Sequence, residues 1–380
     1  IRSRRAPVHY PAFHPVPMFE NEEEEMQVEE GGETAETARA KKRQCVSGWS
    51  AGHVMEPPVR VAVAAGSLGI EGLALAAAEG LGLWEGLAVQ FVEVSGAGRS
   101  GCEAVAAALL EGAADVAYIS DVAAARCFAE GHSVKILCST MRFPARCLVG
   151  RGDGAVGPRH LQEARWAVEQ EGLGRLLALQ VGCALGLAGG SNMECSSCTA
   201  VTSTAEGAKA LLSGIVDCAL LRLEEAVALV RQQSPSGLRL LLGIEELRSL
   251  LSAPPHGVLA TSDAFIGRCP ATCLRLVRGM LRASRWLHDD AALFCRSLRR
   301  WVMPEASEED AVGLWQLLVR EGAFAVNGAV SRMHWGPKLE ALAALSKGTQ
   351  GLTYEGLISC AHVGESVRKL GRHPGAFDPL

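Results

Sequence analysis

The stretch VRVAVAAGSLGIEGLALAAAEGLGLWEGLAVQFVEV, residues 59–94, and its continuation SGAGRSGCEAVAAALLEGAADVAYISDVAAARCFAEGHSVKILCST, residues 95–140, decide the fold. Apolar runs of strand length, such as 59–65 and 114–120, alternate with helical runs rich in small residues. Short Gly/Ser turns separate these runs. Strands that alternate with helices at this spacing predict right-handed crossovers and a parallel sheet.

Five segments match, in order, the motifs of a known superfamily. They are EGLGLWEGLAV (79–89), LEGAADVA (110–117), GHSVKI (131–136), AEGAKALLSGIVD (205–217) and LATSDAF (259–265). With these motifs the chain resembles the type II periplasmic-binding-protein superfamily, in the branch that binds aliphatic sulfonates, nitrate or thiamine-pyrimidine precursors. The resemblance implies a two-lobed α/β fold with parallel-rich sheets, flanking helices and a hinge of two crossovers.

Charge and Gly/Pro patterns divide the chain into four parts. These are a charged, extended N-terminal tail (1–58), lobe 1 (59–152 and 257–330), lobe 2 (153–256), and a C-terminal helix and tail (331–380). The Gly/Pro-rich segments at 151–154 and 252–256 suit the two crossovers of the hinge. The first part has low hydrophobicity and blocks of like charge, which are typical of a segment that does not fold alone. We therefore expect it to lie on a partner protein, with the C-terminal tail as a second contact.

Composition limits the classes of function and the compartment. The chain has 380 residues and a net charge of −5, so it carries no electrostatic footprint for nucleic acid, and no apolar run is long enough to span a membrane. Its 13 cysteines are scattered and odd in number, which favours a reducing compartment. The chain begins at Ile1 and has no secretory apolar run. We expect a mitochondrial matrix location, or another reducing organelle interior, with a presequence removed.

Candidate ligand-binding residues follow from the fold, because such clefts are built from loops after strand ends and from helix N-termini. The loops mapped in this way contain Ser67, Ser95, Arg99, Ser120, Asp121, Thr140, Arg142, Thr202, Arg222 and Glu224. The three arginines suit a sulfonate or a carboxylate, since a guanidinium binds either group through two hydrogen bonds. In contrast, the first loop of lobe 2 reads EQEG (169–172), and its two acids would repel an anion.

The chain also resembles thiamine-pyrimidine synthases over 204–286, but it lacks two features of those enzymes. No cysteine cluster stands before the strand at 257–261, and the first loop holds no histidine. We therefore predict a protein that is not an enzyme, with no cofactor and no metal. The C-x-x-C spacing of Cys195 and Cys198 admits a redox pair or half of a metal site, but we favour two ordinary thiols.

Two functions remain open. The first is a non-catalytic accessory subunit of an organellar, mitochondrial protein complex, built on a solute-binding fold, and we favour it because it explains the charged tail and the many thiols. The second is a soluble protein that binds or senses a small molecule, either anionic or similar to a thiamine precursor. It explains why the full order of the two lobes is kept.

Overall fold

A computed structural model describes residues 57–65, 68–95, 101–151, 161, 163–169, 172–186, 198–232, 237–251, 256–345 and 351–375. Ten strands in this part of the chain form two five-stranded sheets. The first sheet contains β1 (Val59–Ala64), β2 (Val89–Val94), β3 (Val116–Ser120), β4 (Val134–Ser139) and β10 (Gly257–Ser262). The second sheet contains β5 (Arg146–Arg151), β6 (Trp166–Glu169), β7 (Cys198–Val201), β8 (Cys218–Arg222) and β9 (Leu238–Leu242). Each sheet with its helices is one lobe, numbered as above.

The two sheets have the same topology. Their strand orders are β2-β1-β3-β10-β4 and β7-β6-β8-β5-β9. In lobe 1, β1 is parallel to β2 and β3, while β10 is antiparallel to β3 and β4. In lobe 2, β6 is parallel to β7 and β8, while β5 is antiparallel to β8 and β9. The antiparallel strand of each sheet is the one that arrives from the other lobe, so each predicted parallel sheet is in fact mixed. The predicted two-lobed α/β fold is confirmed.

The first crossover lies earlier than the sequence predicts. From the sequence we assigned residues 146–151 to lobe 1. In the structure they form β5, which pairs with β8 and therefore belongs to lobe 2. Arg146 lies opposite Arg222 at one end of this pairing, and Gly150 lies opposite Cys218 at the other. The chain therefore passes between the lobes at 140–145, where Pro144 has no backbone N–H to continue a β ladder. Of the segment predicted as the hinge, 152–154 lies outside the described residues, as does 252–255 of the second crossover.

Helices cover both faces of the sheets. Before the second crossover they are α1 (Leu73–Gly80), α2 (Gly101–Leu110), α3 (Asp121–Ala129), α4 (Gly172–Ala184), α5 (Thr204–Leu212), α6 (Leu223–Gln232) and α7 (Ile244–Leu250). After it come α8 (Asp263–Arg268), α9 (Pro270–Asp289), α10 (Ala291–Trp301), α11 (Glu308–Arg320), α12 (Arg332–Leu345), α13 (Tyr354–Leu357) and α14 (Cys360–Leu370). None of the helices in these ranges is long and apolar enough to cross a membrane.

Alternating side chains of lobe 2 fill two apolar clusters. Leu148 and Leu220 lie in one cluster with the buried ring of Trp166, whereas their neighbours Val149 and Leu221 lie in the cluster on the other side. Successive side chains of a strand point to opposite faces, so a sheet covered on both faces needs apolar residues at every position. This explains the unbroken apolar sequence of β5 and β8.

The C-terminal part is more ordered than the sequence predicts. The prediction was one helix followed by a polar tail, but α14 is an eleven-residue helix that packs on α9. Val363 and Val367 are buried at helical spacing, four residues apart, which places both on one face. Polar and small residues separate Val363, Val367 and Leu370, so the pattern was too weak for the sequence to predict this helix.

Candidate functional site

A small cavity lies where the two sheets meet, at the ends of β1, β3 and β8 and at the beginnings of β5 and β10. Its volume is about 80 Å³. Its polar lining comes from both lobes: Glu71, Cys102, Tyr118 and Ser120 from lobe 1, and Arg146, Arg222 and Glu224 from lobe 2. The position agrees with the rule that α/β folds place ligands at the carboxyl ends of parallel strands.

Glu71 and Arg146 connect the two lobes across one wall of this cavity. The Glu71 carboxylate accepts a hydrogen bond from the backbone N–H of Ala145 at 3.0 Å and lies 3.7 Å from the Arg146 guanidinium. On the side of lobe 2, Arg146 donates to Glu169 at 3.1 Å. Burial lowers the pKa of Arg146, but the two carboxylates raise it by more, so the guanidinium is charged. The lobes are therefore joined by an ion pair network within the cleft.

Glu224 forms the opposite wall and is held close to lobe 1. It lies in the first turn of α6, is 8% exposed, and its carboxyl oxygen rests against the Cα of Gly69. A Cβ at position 69 would be 2.0 Å from that oxygen, so only glycine leaves it room. Burial raises the pKa of Glu224 to about 7, since it outweighs the opposing effects of the residue's own backbone N–H and of Arg222.

Among the described residues, the lining of the cavity holds two carboxyl groups, of Glu71 and Glu224, and two guanidinium groups, of Arg146 and Arg222. Two more carboxylates act on Arg146 from behind this lining, those of Glu169 and Glu225. Glu225 accepts from the backbone N–H of Arg222 at 3.1 Å and from the Thr204 hydroxyl at 2.8 Å. The described part of the cleft therefore lacks the excess of cationic groups expected of the anion site that the sequence suggested.

A second buried polar cluster lies in lobe 1, and its side chains are not part of the lining of the cavity. The carboxylate of Asp121, the first residue of α3, is 2.8 Å from the Lys338 ammonium and 3.3 Å from Nδ1 of His256. Nε2 of His256 is 2.8 Å from the Ser139 hydroxyl. Burial raises the pKa of Asp121 and lowers that of Lys338, while their mutual attraction opposes both shifts. The cluster joins the ends of both crossovers to α12 and serves the structure of the hinge.

The structure brings some of the predicted site residues together and leaves others apart. Ser120, Arg222 and Glu224 line the cavity, while Asp121 turns to Lys338. Thr140 donates to the Gly257 carbonyl at 3.0 Å, and Arg142 donates to the Gly322 carbonyl at 3.2 Å, so both are used within lobe 1. Ser95 and Thr202 are exposed, and Thr202 donates to Glu206 at 2.8 Å. Ser67 and Arg99 lie outside the described residues.

Sequence reasoning missed Glu71, Cys102, Tyr118 and Arg146. Glu71 lies in a 3₁₀ turn before α1, whereas Ser67 is the residue that the sequence predicted as a site residue in the loop before this turn. Arg146 was missed because β5 was assigned to lobe 1. An isolated arginine at the start of a buried strand is itself a signal, since a charge there needs a partner.

One further group of side chains has the composition of a metal site. Among the described residues, His288, Asp289 and His373 offer ligand atoms within 4.8 Å of one another. However, the Gly375 backbone N–H donates to Nδ1 of His373 at 3.1 Å, which leaves the ring proton on Nε2, 2.9 Å from Asp289. That nitrogen is a hydrogen-bond donor in this arrangement and has no lone pair for a metal. The group ties the C-terminal segment to the end of α9.

Several solved structures with similar folds are solute-binding proteins. They include the ligand-binding component of an ABC-type import system from Staphylococcus aureus (10% identity, TM-score 0.62, covering 82% of this chain and 100% of that one). A periplasmic sulfonate-binding protein from Methylobacillus flagellatus KT has 14% identity and a TM-score of 0.56, and covers 83% of this chain and 95% of that one. The periplasmic nitrate-binding protein of Synechocystis PCC 6803 has 11% identity and a TM-score of 0.56, and covers 85% of this chain and 90% of that one.

These similarities identify the class of fold. The chain has the type II periplasmic-binding-protein fold, as the sequence resemblance predicted. At 10–14% identity the likeness extends to the fold alone. The sequence matches no family model and no curated protein.

Proposed function

We propose that this protein binds a small solute in the cavity between its lobes and closes over it. The observation that carries the proposal is the set of buried charged side chains that both lobes direct into one cavity: Glu71 from lobe 1, and Arg146 and Glu224 from lobe 2. Burying a charge destabilises a fold unless a partner compensates it. Two lobes that needed only to adhere would be more stable with an apolar interface.

The hydrogen bonding of these groups supports the same conclusion. Nε of the buried Arg146 has no hydrogen-bond partner among the described residues. The Glu224 carboxyl accepts from its own backbone N–H, and this bond and the attraction of Arg222 do not offset its burial. A carboxyl in this state at a cavity wall is positioned to be completed by a ligand.

An accessory role in an organellar assembly is our second candidate, and a different observation favours it. The eleven cysteines that the structure describes are all free thiols, and six of them are buried. Free thiols in this number suit a reducing interior such as a mitochondrial matrix. The tail proposed to hold the partner, residues 1–58, lies almost wholly outside the described residues. A native gel of the endogenous protein tests this role, since an accessory subunit migrates with constant partners.

The solute-binding proposal is tested by thermal unfolding of the full chain against a panel of solutes. The panel contains alkanesulfonates, nitrate, short carboxylates, primary amines and aminopyrimidines at millimolar concentration. A ligand at 100 times its Kd stabilises the folded state by about 2.7 kcal/mol, so one class should raise Tm by several degrees. Glu224→Gln should change that shift, whereas Glu111→Gln, on an exposed turn, should not. No shift with any class would contradict the proposal.

A further inference from the structure

We propose that the solute is a small organic cation, a primary amine whose ammonium group lies between Glu71 of lobe 1 and Glu224 of lobe 2. This inference rests on the proposed function and assigns the chemical class of its ligand. It departs from the sulfonate and nitrate ligands named for the structural neighbours.

The first support is that two carboxylates, one from each lobe, face the same cavity. Glu71 acts on Glu224 as a like charge and makes ionisation of Glu224 less favourable. Gly69 leaves room for the Glu224 carboxyl at the surface of lobe 1, close to the turn that carries Glu71. A cation between the two carboxylates replaces this repulsion with attraction to both lobes at once. Closure of the lobes and binding of a cation are thereby coupled.

The second support is that Arg146, one of the two arginines that line the cavity, is already balanced by acids. Arg146 lies between Glu71 and Glu169, at 3.7 Å and 3.1 Å, and Glu225 also attracts it. An anionic solute would compete with these carboxylates for the Arg146 guanidinium. A cation would instead meet four carboxyl groups, those of Glu71, Glu169, Glu224 and Glu225, against two guanidinium groups among the described residues.

The rest of the lining favours an ammonium group over a metal ion. Mg²⁺ and Ca²⁺ need six or more oxygen ligands, which exceeds what Glu71 and Glu224 supply in about 80 Å³. An ammonium group has three N–H donors, which suit two carboxylates and one hydroxyl, and Ser120 and Tyr118 offer hydroxyls on the wall. The apolar side chains of Ala64, Ile119 and Ala145 complete the wall. They suit a short alkyl body.

The protonation of Glu224 gives the site a pH dependence. The charged and titratable groups that act on this carboxyl are Glu71 of lobe 1 and Arg222 and Glu225 of lobe 2, with the thiol of Cys147 also close. Because burial raises the pKa of Glu224 to about 7, the carboxyl holds its proton below that pH when no cation is present. An ammonium group favours the ionised form, so its binding releases a proton below pH 7 and weakens as the pH falls.

The test is calorimetric titration of the full chain with three solutes of equal length: n-propylamine hydrochloride, sodium propionate and sodium propane-1-sulfonate. We expect propylamine to bind the wild type at pH 8 and the two anions not to bind. Affinity for propylamine should fall about fivefold from pH 7 to pH 6, with release of a proton that is revealed by buffers of different ionisation enthalpy. Glu224→Gln should weaken binding at pH 8 at least tenfold and remove the pH dependence.

Two further variants keep the test decisive. Glu111→Gln removes an equally charged but exposed group and should bind propylamine as the wild type does. Gly69→Ala keeps every charge but displaces the Glu224 carboxyl, so it should weaken binding while folding normally, since the Gly69 backbone has φ −78°, which alanine adopts freely.

The outcomes separate the ligand class from the function. Binding of propionate or propanesulfonate, weakened by Arg222→Gln, overturns the cation assignment and leaves the proposed function standing. Failure of all three solutes also overturns the cation assignment. If the wider panel of solutes then gives no thermal stabilisation, the proposed function falls with it.

Discussion

Asp121 of lobe 1 and Glu224 of lobe 2 occupy equivalent places and differ in what compensates them. β3 and β8 hold the same place in their sheets, and each leads directly into a helix whose first turn carries a buried acid. Asp121 is fully buried and lies 2.8 Å from the Lys338 ammonium. Glu224 is 8% exposed and faces the cavity, with its own backbone N–H as hydrogen-bond donor.

The difference shows how one fold uses the same position for two purposes. In lobe 1 the C-terminal helix α12 brings a lysine to the acid, so the charge is neutralised within the protein and contributes to the hinge. In lobe 2 the described cation that acts on the acid is Arg222, two residues before it, and its attraction does not offset the burial of Glu224, so the acid remains at the cavity wall with a raised pKa. A buried acid that the fold compensates only in part lowers stability, and such sites are where ligands act.

The largest effect is expected from removing the lysine that compensates Asp121. Lys338→Met should lower the free energy of unfolding by about 4 kcal/mol, because it leaves a buried carboxylate without its cation. Denaturant unfolding at pH 7 measures this loss. The double variant Asp121→Asn/Lys338→Met should be more stable than Lys338→Met alone. Equal stability of the two would show that the ion pair is not what holds this part of the hinge.

A smaller loss is expected from breaking the ion pair network that joins the lobes. Arg146→Met should lower the free energy of unfolding by about 3 kcal/mol, since Glu71 and Glu169 lose the guanidinium between them but retain some contact with water. Denaturant unfolding at pH 7 again measures it. Arg146→Lys, which keeps a positive charge at this position, should lose less stability than Arg146→Met. Equal losses in the two variants would indicate that the charge of Arg146 is not what joins the lobes.

Removing the charge of Glu224 should stabilise the protein in the absence of solute. Its pKa rises from 4.5 to about 7 on folding, so between these pH values the folded state holds a proton that the unfolded state has released. Stability from this group therefore decreases as the pH rises from 4.5 to 7. Glu224→Gln should gain about 3 kcal/mol at pH 8 and little at pH 4.5. Unfolding curves across this pH range test it, and a loss of stability at pH 8 would contradict it.

The smallest effect on stability is expected at Gly69. Gly69→Ala should change the free energy of unfolding by less than about 1 kcal/mol, because its extended backbone accepts alanine and the atom in the way is the end of a flexible side chain. Thermal unfolding of the variant measures this. A large destabilisation would mean that the lobes cannot separate to relieve the contact, and that the cleft is a fixed interface.

The sequence predicted the fold well because its signals are local and repeated. The apolar run 59–65 contains strand β1 (Val59–Ala64), and the run 114–120 contains strand β3 (Val116–Ser120). The alternation of such runs with helical segments is enough to set these bounds. Helix α14 was missed because polar and small residues separate the three large apolar residues of its face, Val363, Val367 and Leu370.

The site was predicted only in part because it depends on pairing between distant segments. Glu224 and Arg222 follow a strand end and could be found from position alone. Arg146 lines the cavity only because β5 crosses into the second sheet, and Lys338 meets Asp121 across 217 residues of sequence. Nothing in the local sequence of either residue specifies its partner.

The most direct test of the account is a pH titration of the Glu224 carboxyl itself. Infrared difference spectra between the wild type and Glu224→Gln, taken on the full chain, report the protonated carboxyl. We expect this signal to disappear as the pH rises, with a midpoint near pH 7 without solute. With saturating n-propylamine the midpoint should lie about one pH unit lower or more. A midpoint near that of an ordinary glutamate without solute, unchanged by the amine, would contradict it.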